Sequence, residues 1–294
     1  MDCLFCDHPK AHKHGKPSKG GQRYRCAACR RTFTDTFDTL YCRRQVTPEQ
    51  VEIILQAHAE GSSLRGISRI GKRAYGTVVD IVLKASYEGQ LVHNEEVEDV
   101  ECRQITADEM WSFVKKQKRC EPDEIAVGDC WLGISLANES GLILSLRVGK
   151  HTDAFLQELV ANTEGKTACQ LWCTDNWGGY ERVPPEEITH YIGKENTQRL
   201  ERTNGIVRQQ TGWWYRRQNK FGKLWKQIEV TARLVVSYFN WIWQHSRTTD
   251  TAAQRTGLSI QPWDWHDIAT YPTFYCFYDG LVSYIERTCE DDCV

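Results

Sequence analysis

Three carboxylates in this chain have the types and settings that metal-assisted phosphodiester transfer requires. Asp175 ends the apolar run Leu171-Trp-Cys-Thr174 and is followed at once by Asn176, Trp177 and two glycines. A buried strand that stops on an acid and then turns places that acid in a cleft. Asp108 lies in a second strand-like run, Ile105–Val114, and Glu201 lies in Gln198-Arg-Leu-Glu201-Arg-Thr-Asn204 at the start of a helical pattern. Transfer at phosphorus needs charge neutralised on the attacking and leaving oxygens, which two divalent ions about 3.5–4 Å apart accomplish. Such hard ions take oxygen ligands, and magnesium takes few from protein. Asp108 and Asp175 would hold the pair of Mg2+ or Mn2+ ions, and Glu201 would complete the second site. Asn204 and Arg208 follow one and two turns after Glu201, where they would orient a carboxylate or bind the scissile strand. Glu109 alternates to the opposite strand face and is not chosen. Asp123, Asp129 and Glu195 are rivals from loops or loop edges.

A second constellation belongs to a different metal. Cys3-x-x-Cys6 and Cys26-x-x-Cys29 are two matched pairs separated by nineteen residues. Two thiolates on a tight turn take two corners of a tetrahedron, and two such turns close one structural zinc site. His8, His12 and His14 lie between them and are left for solvent or phosphate. Gln22-Arg-Tyr-Arg-Cys26 reads as a strand entering the second pair, and Cys29–Asp35 as the strand leaving it. About 40 residues cannot fold on so small a core without that metal.

The elements that must position these groups follow in order. Thr47-Pro48-Glu49 is a helix start, with a capping Thr, Pro at the first position and an acid in the first turn. Val51, Ile54, Leu55 and His58 repeat at helical spacing. Ser62-Ser63-Leu64-Arg-Gly-Ile67 starts a second short helix, Gly71 marks a turn, and Ala74–Leu83 is a third helix. This is the pattern of a helix-turn-helix, whose last helix enters the DNA major groove. Lys72, Arg73, Tyr75 and Thr77 stand at its N-terminal end, where bases and phosphates are met. The acidic stretch from Glu88 to Glu101 reads as a linker. Beyond it come strands over Ile105–Val114, Cys130–Ala137 and Leu142–Val148, a helix over Asp153–Val160, and strands over Ala168–Thr174 and Thr189–Gly193. A long helix carrying Glu201 follows. Three strands with tight connections, then helix, strand, strand and helix, is the order of an RNase H-like α/β fold, in which the first and fourth strands lie side by side. After Thr211, aromatics alternate with Arg216, Arg217 and Lys220, a composition suited to DNA. The expected divisions are 1–44 (zinc ribbon), 45–88 (helix-turn-helix), 89–102 (linker), 103–245 (catalytic core) and 246–294 (a tail docked on the core).

Composition sets the outer limits. The chain has 294 residues, 40% hydrophobic and 26% charged, with a net charge of −2. This is ordinary for a globular protein. No apolar run approaches the roughly 20 residues of a membrane span. Thirteen cysteines, an odd number without a signal-like N-terminus, fit reduced thiols and not a secreted disulfide framework. Basic residues concentrate at 10–31 and 199–226, with acids between them, which suits phosphate contact at defined surfaces.

These runs resemble the transposases of the insertion-sequence-one type, bacterial DDE transposases, over roughly residues 3–245. Cys3-x-x-Cys6 with Gln22-Arg-Tyr-x-Cys26-x-x-Cys29-Arg is similar to that family's zinc-finger start. Asp108-Glu-Met-Trp-Ser-Phe-Val, Thr174-Asp175-Asn-Trp-x-x-Tyr180 and Thr197-Gln-Arg-Leu-Glu201-Arg-Thr-Asn204-x-x-x-Arg208-Gln resemble its three catalytic segments. The resemblance implies a D–D–E set at Asp108, Asp175 and Glu201. It also implies binding of double-stranded DNA at the element's terminal inverted repeats, strand transfer into target DNA, and a homo-oligomer, at least a dimer, on paired ends. The location it implies is the bacterial cytoplasm, at the nucleoid. Asn176 stands where the family commonly has Gly. Two other classes compete: a catalytically inactive, domesticated transposase acting as a repressor, and a zinc-ribbon protein that mediates protein assembly.

Overall fold

The computed structural model describes residues 1–16, 22–37, 39–42, 44–115, 126–175, 177–193, 198–211 and 222–271. Asn176, Arg216, Arg217, Lys220, Asp123 and Glu195 lie outside the described residues. The chain divides into two compact units. One is Met1–Val51 with the chain from Ala269, and the other is Glu52–Ile268.

The first unit carries three short antiparallel strands, β1 (Ala11–Lys13), β2 (Arg23–Cys26) and β3 (Thr32–Thr34), in that order in one sheet. Strands β2 and β3 enter and leave the second cysteine pair as expected from the sequence. The core is small: Cys3, Cys26 and Phe33 are buried, with Phe5, Ala11, Tyr24 and Phe37 packed around them.

Helix α1 (Pro48–Ala59) starts on a reciprocal cap. The Gln50 backbone N–H donates to Thr47 Oγ1 at 3.4 Å, and the Thr47 N–H donates to Gln50 Oε1 at 3.2 Å. Helix α2 (Leu64–Ile70) is capped by Ser63, whose side chain accepts from the Gly66 N–H. Helix α3 runs from Tyr75 to Glu96, 22 residues. It therefore continues through the stretch that acidic composition marks as a linker. The reason lies in its buried positions, Val78, Ile81, Val82, Ala85, Ser86, Gly89, Val92 and His93, which recur at helical spacing to its last turn. That stripe packs on α7 (Trp225–Ser237), within the second unit. At the crossing, a Cβ on Gly89 would meet Ser237 Oγ at 2.2 Å and Ser237 Cβ at 3.3 Å, so glycine permits the approach. His58, on α1, shares a 3.0 Å hydrogen bond with Thr231 of α7. Residues 52–96 are thus packed into the same unit as the sheet, not set apart by a linker at 89–102.

The sheet of this unit has five strands: β4 (Ile105–Val114), β5 (Gly128–Ala137), β6 (Ile143–Gly149), β7 (Leu171–Thr174) and β8 (Thr189–Ile192). Their order is β6-β5-β4-β7-β8. The first three pair antiparallel, and β7 pairs parallel to both β4 and β8. Helix α4 (Asp153–Glu164), capped by Thr152, makes the crossover and buries Phe155, Leu156, Leu159 and Val160. Gly133 on β5 leaves room for the Phe155 ring, which a Cβ there would meet at 2.8 Å. Two further helices bear on the site described below, α5 (Gly179–Arg182) and α6 (Gln198–Thr211). Helix α7 continues into one π-helical turn, Tyr238–Ile242. Short helices α8 (Ala252–Arg255) and α9 (Trp265–Thr270) follow where the sequence reads as a docked tail.

Strand β6 is an edge, and an edge with unpaired backbone groups is costly when buried. Two buried side chains satisfy it. Asn240 accepts from the Ile143 N–H and donates to the Ile143 carbonyl, each at 2.9 Å. A bulge between β5 and β6 leaves Leu144 without a cross-strand partner, and His93 Nε2 donates to its carbonyl at 2.9 Å. Replacing Asn240 with Ala is expected to cost about 2–4 kcal/mol, because two backbone groups lose their partner. A denaturant midpoint lowered at unchanged slope checks this.

Burial pushes the His93 pKa down to about 4, opposed by its bond to Leu144 and assisted by the charges of Lys166 and Arg147. The unfolded chain therefore binds a proton between about pH 6.5 and pH 4 that the folded chain does not. Stability should fall by up to about 3 kcal/mol as pH drops through that window, then level off. Denaturation curves of the native protein and of His93→Gln, recorded across that range, should differ by this slope.

Candidate metal centres

Local backbone geometry builds the thiol site in the first unit. Each cysteine pair forms the same turn. The Phe5 N–H donates to Cys3 Sγ at 3.4 Å, and the Ala28 N–H donates to Cys26 Sγ at 3.3 Å. Each pair is followed by a residue in the left-handed region, Asp7 at φ 52° and Arg30 at φ 58°. Cys3 and Cys29 bring their sulfurs to 3.6 Å, as do Cys6 and Cys26, and all four lie within 4.8 Å of one another. A tetrahedron with Zn–S of about 2.3 Å has S–S edges of about 3.8 Å, so this donor set fits one zinc ion. Burial lifts the Cys3 thiol to about 12. At Cys26 burial also opposes ionisation, but the backbone N–H groups of Cys29 and Ala28 outweigh it and bring the thiol down to about 6. His8, His12 and His14 are not part of this group.

The carboxylate group forms where a long strand outruns a short one. Strand β4 has ten residues and β7 only four, and their ladder consists of Ile105 with Trp172 and Thr106 with Cys173. Carrying that register on places Asp108 beside Asp175, just past the end of β7. Asp108, Glu109 and Asp175 each offer a carboxylate oxygen within 4.8 Å of the other two. Asp108 is half-buried, Glu109 buried and Asp175 exposed. Strand alternation alone sends Glu109 to the opposite face. Beyond Thr106, however, β4 no longer has β7 hydrogen-bonded at its side, and the open edge admits side chains from both faces.

The surroundings hold these acids firmly. Burial, then the charge of Glu109, raises the Asp108 pKa to about 6, with Asp175 adding to the rise and Arg208 opposing it. Asn204 on α6 is 1% exposed, and its Nδ2 donates to Asp108 Oδ2 at 2.8 Å. Its Oδ1 is buried without a hydrogen-bond partner among the described residues. Asn204 is therefore placed to orient the Asp108 carboxylate, one of the two roles its position on the helix allows. The Trp177 N–H donates to Asp175 Oδ1 at 3.0 Å, closing the turn after β7. Tyr180 on α5, 2% exposed, donates its hydroxyl to Glu109 Oε1 at 2.5 Å. Burial first, and Glu109 second, hold the Tyr180 hydroxyl well above its ordinary pKa. His151 Nε2 stands 3.9 Å from Glu109 Oε2, with its ring stacked between Trp131 at 4.1 Å and Trp177 at 3.8 Å.

Glu201 is exposed on the first turn of α6, one turn before Asn204, and is not among the three acids within 4.8 Å. Arg208 lies one turn after Asn204. Asp129 sits in β5 opposite Phe113 and accepts from Trp111 Nε1 at 3.3 Å, five residues along β4 from Asp108. Of the residues expected to meet DNA, Lys72 (φ 49°) and Tyr75 are exposed at the start of α3, and Arg73 and Thr77 are half-buried. The Arg65 guanidinium lies over the Tyr75 ring at 4.9 Å. Strand alternation sets Glu109 aside, and nothing in the sequence marks His151; the signal for Tyr180 is its place in the run that follows Asp175.

The sheet is a mixed one in an α/β core, with Asp108 on β4 and Asp175 just past the end of the parallel β7. Residues 101–244, just under half of the chain, match the family model described as IS1 transposase. No curated protein matches the sequence. Among solved structures, the Mos1 transposase paired-end complex with left transposon end is 10% identical with a TM-score of 0.19, covering 53% of this chain and 57% of that one. The Mos1 strand transfer complex is 8% identical with a TM-score of 0.19, covering 67% and 77%. The chain thus spans little more than half of the first of these. Among the described residues, no helix is long and apolar enough to cross a membrane.

Proposed function

We propose that the protein is the DNA transposase of an insertion sequence. It binds double-stranded DNA at terminal inverted repeats, hydrolyses a phosphodiester at each element end, and joins the freed 3′ hydroxyl to target DNA. The observation that supports this most directly is the meeting of Asp108 and Asp175 past the end of the β4–β7 ladder, within a segment matched to a transposase family. Three crowded carboxylates, with one pKa raised by burial and like charge, fit divalent cations. Bound Mg2+ or Mn2+, two ions in this reading, would activate water and neutralise the phosphate oxygens. Asp108 and Asp175 hold the ions, Glu201 closes the second site from α6, and Asn204 fixes the Asp108 carboxylate. Cys3, Cys6, Cys26 and Cys29 hold one structural zinc. Lys72, Arg73, Tyr75, Thr77 and Arg208 contact DNA, as do Arg216, Arg217 and Lys220. The protein works in the bacterial cytoplasm as at least a dimer, so that two ends are paired.

The test is incubation of the full chain with a labelled element end and Mg2+ or Mn2+. The expected result is a metal-dependent break at the element end that leaves a 3′ hydroxyl. Tight end binding with no cleavage under either metal would instead establish a repressor. Absence of salt-dependent DNA affinity would favour an assembly protein, since about eight phosphate contacts give a steep slope of log K on log salt.

A further inference from the structure

The geometry points to Glu109 as a third carboxylate of the metal group, held in place by Tyr180, so that divalent-cation affinity depends on Glu109 as well as on the two aspartates. This inference rests on the reading of Asp108 and Asp175 as a metal centre.

Four observations carry it. First, Glu109 offers an oxygen within 4.8 Å of ligand atoms on both Asp108 and Asp175. Second, Glu109 is only 9% exposed, and among the described residues the nearest basic side chain, His151, keeps its Nε2 3.9 Å from Oε2, beyond hydrogen-bond distance. A buried carboxylate beside two others, with no cation closer among the described residues, is unfavourable unless something offsets its charge. A divalent ion with oxygen ligands does so. Third, Asn204 Oδ1 is buried beside this group without a hydrogen-bond partner among the described residues, while its Nδ2 is bonded to Asp108. A buried amide oxygen left over on a side chain bonded to Asp108 is a further hard donor and is consistent with a cation at this group. Fourth, Glu109 is fixed, not merely near. Tyr180 holds Oε1, and His151, clamped between Trp131 and Trp177, fills the space beside Oε2. Such support orients a ligand before the ion arrives and is the usual arrangement behind a metal-binding carboxylate.

Tyr180 is thus a positioning residue acting through Glu109. It stands five residues after Asp175, so the turn following β7 supplies one acid directly and secures another on β4.

The experiment measures Mn2+ affinity of the zinc-replete full chain, from the electron paramagnetic resonance signal of free Mn2+, with no DNA present. Glu109→Gln is expected to weaken Mn2+ binding by about tenfold or more, and Tyr180→Phe by a smaller factor, in the range that lost supporting contacts produce. Tyr180→Phe preserves the buried ring, so its thermal transition should stay near that of the native protein while its affinity falls. A purely structural tyrosine would not move Mn2+ affinity at an unchanged fold. Native-like Mn2+ affinity in Glu109→Gln, with binding lost in Asp175→Asn, overturns this inference alone and makes Glu109 a core acid bonded to Tyr180. Native-like affinity in Asp175→Asn overturns the metal-centre reading itself.

Discussion

Asp175→Asn should lower strand transfer by on the order of 10³-fold or more, equivalent to about 4 kcal/mol in the barrier, and leave binding to DNA ends unchanged. The size follows from what is removed. The aspartate is one of the acids that would hold both ions, and an amide oxygen does not replace a charged ligand for a hard cation. The selectivity follows from what is kept. Asp175 is exposed, and the hydrogen bond described for its side chain runs from the Trp177 N–H to Oδ1. Asparagine retains that oxygen, so the turn after β7 and the strand itself should stand. Joining of labelled ends into target DNA, measured beside a gel-shift of the same ends, reads both quantities. Undiminished joining by the variant would sink the mechanism.

Removing zinc should unfold the first unit and spare the second. Around the thiols, the buried cluster of the first unit consists of Cys3, Cys26 and Phe33, and two of these three are proposed zinc ligands. Structural zinc in small domains contributes on the order of 10–16 kcal/mol at neutral pH, far beyond what one phenylalanine and its aromatic neighbours supply. Cys26→Ser or a strong chelator should therefore open this unit to trypsin at Arg23, Arg25, Arg30 and Arg31. The Glu52–Ile268 unit, with the five-stranded sheet and its own core, should keep its thermal transition. Metal analysis of the native protein should return one zinc per chain, and the chelated protein should lose end binding. Chelated protein as resistant to trypsin as untreated protein would show that the four thiols do not hold a structural ion.

The two sites were unequally legible for a physical reason. The thiol site is made by turns of four residues, and within such a turn the geometry is local. Spacing alone predicts that each cysteine pair can share one ion, and the strands on either side follow from composition. The order of the sheet is similarly accessible, because tight connections force antiparallel neighbours and a crossover helix forces a parallel pair. The register of β7 against β4 is not local. It decides that the ladder stops at Thr106, that an open edge follows, and that Glu109 reaches the same group as Asp108 despite alternation.

Helix α3 illustrates the opposite error. Its apolar spacing continues through Val92 and His93, although the surrounding acids suggest solvent. Only the partner surface on α7, with Gly89 against Ser237, shows why a helix with so many charges stays buried on one side. Asn204 is the same case on a smaller scale. Its place on α6 one turn after Glu201 can be counted from the sequence, whereas its burial and its bond to Asp108 depend on how α6 packs on β4. The sequence by itself determined the four thiols that short-range geometry assembles, and it marked Asp108, within one strand, and Asp175, just past the end of another, as acids that could meet. Tertiary structure alone decided which buried groups surround those aspartates, because contacts between residues 71 or 96 positions apart, as in Glu109–Tyr180 and Asp108–Asn204, depend on packing that no local pattern encodes.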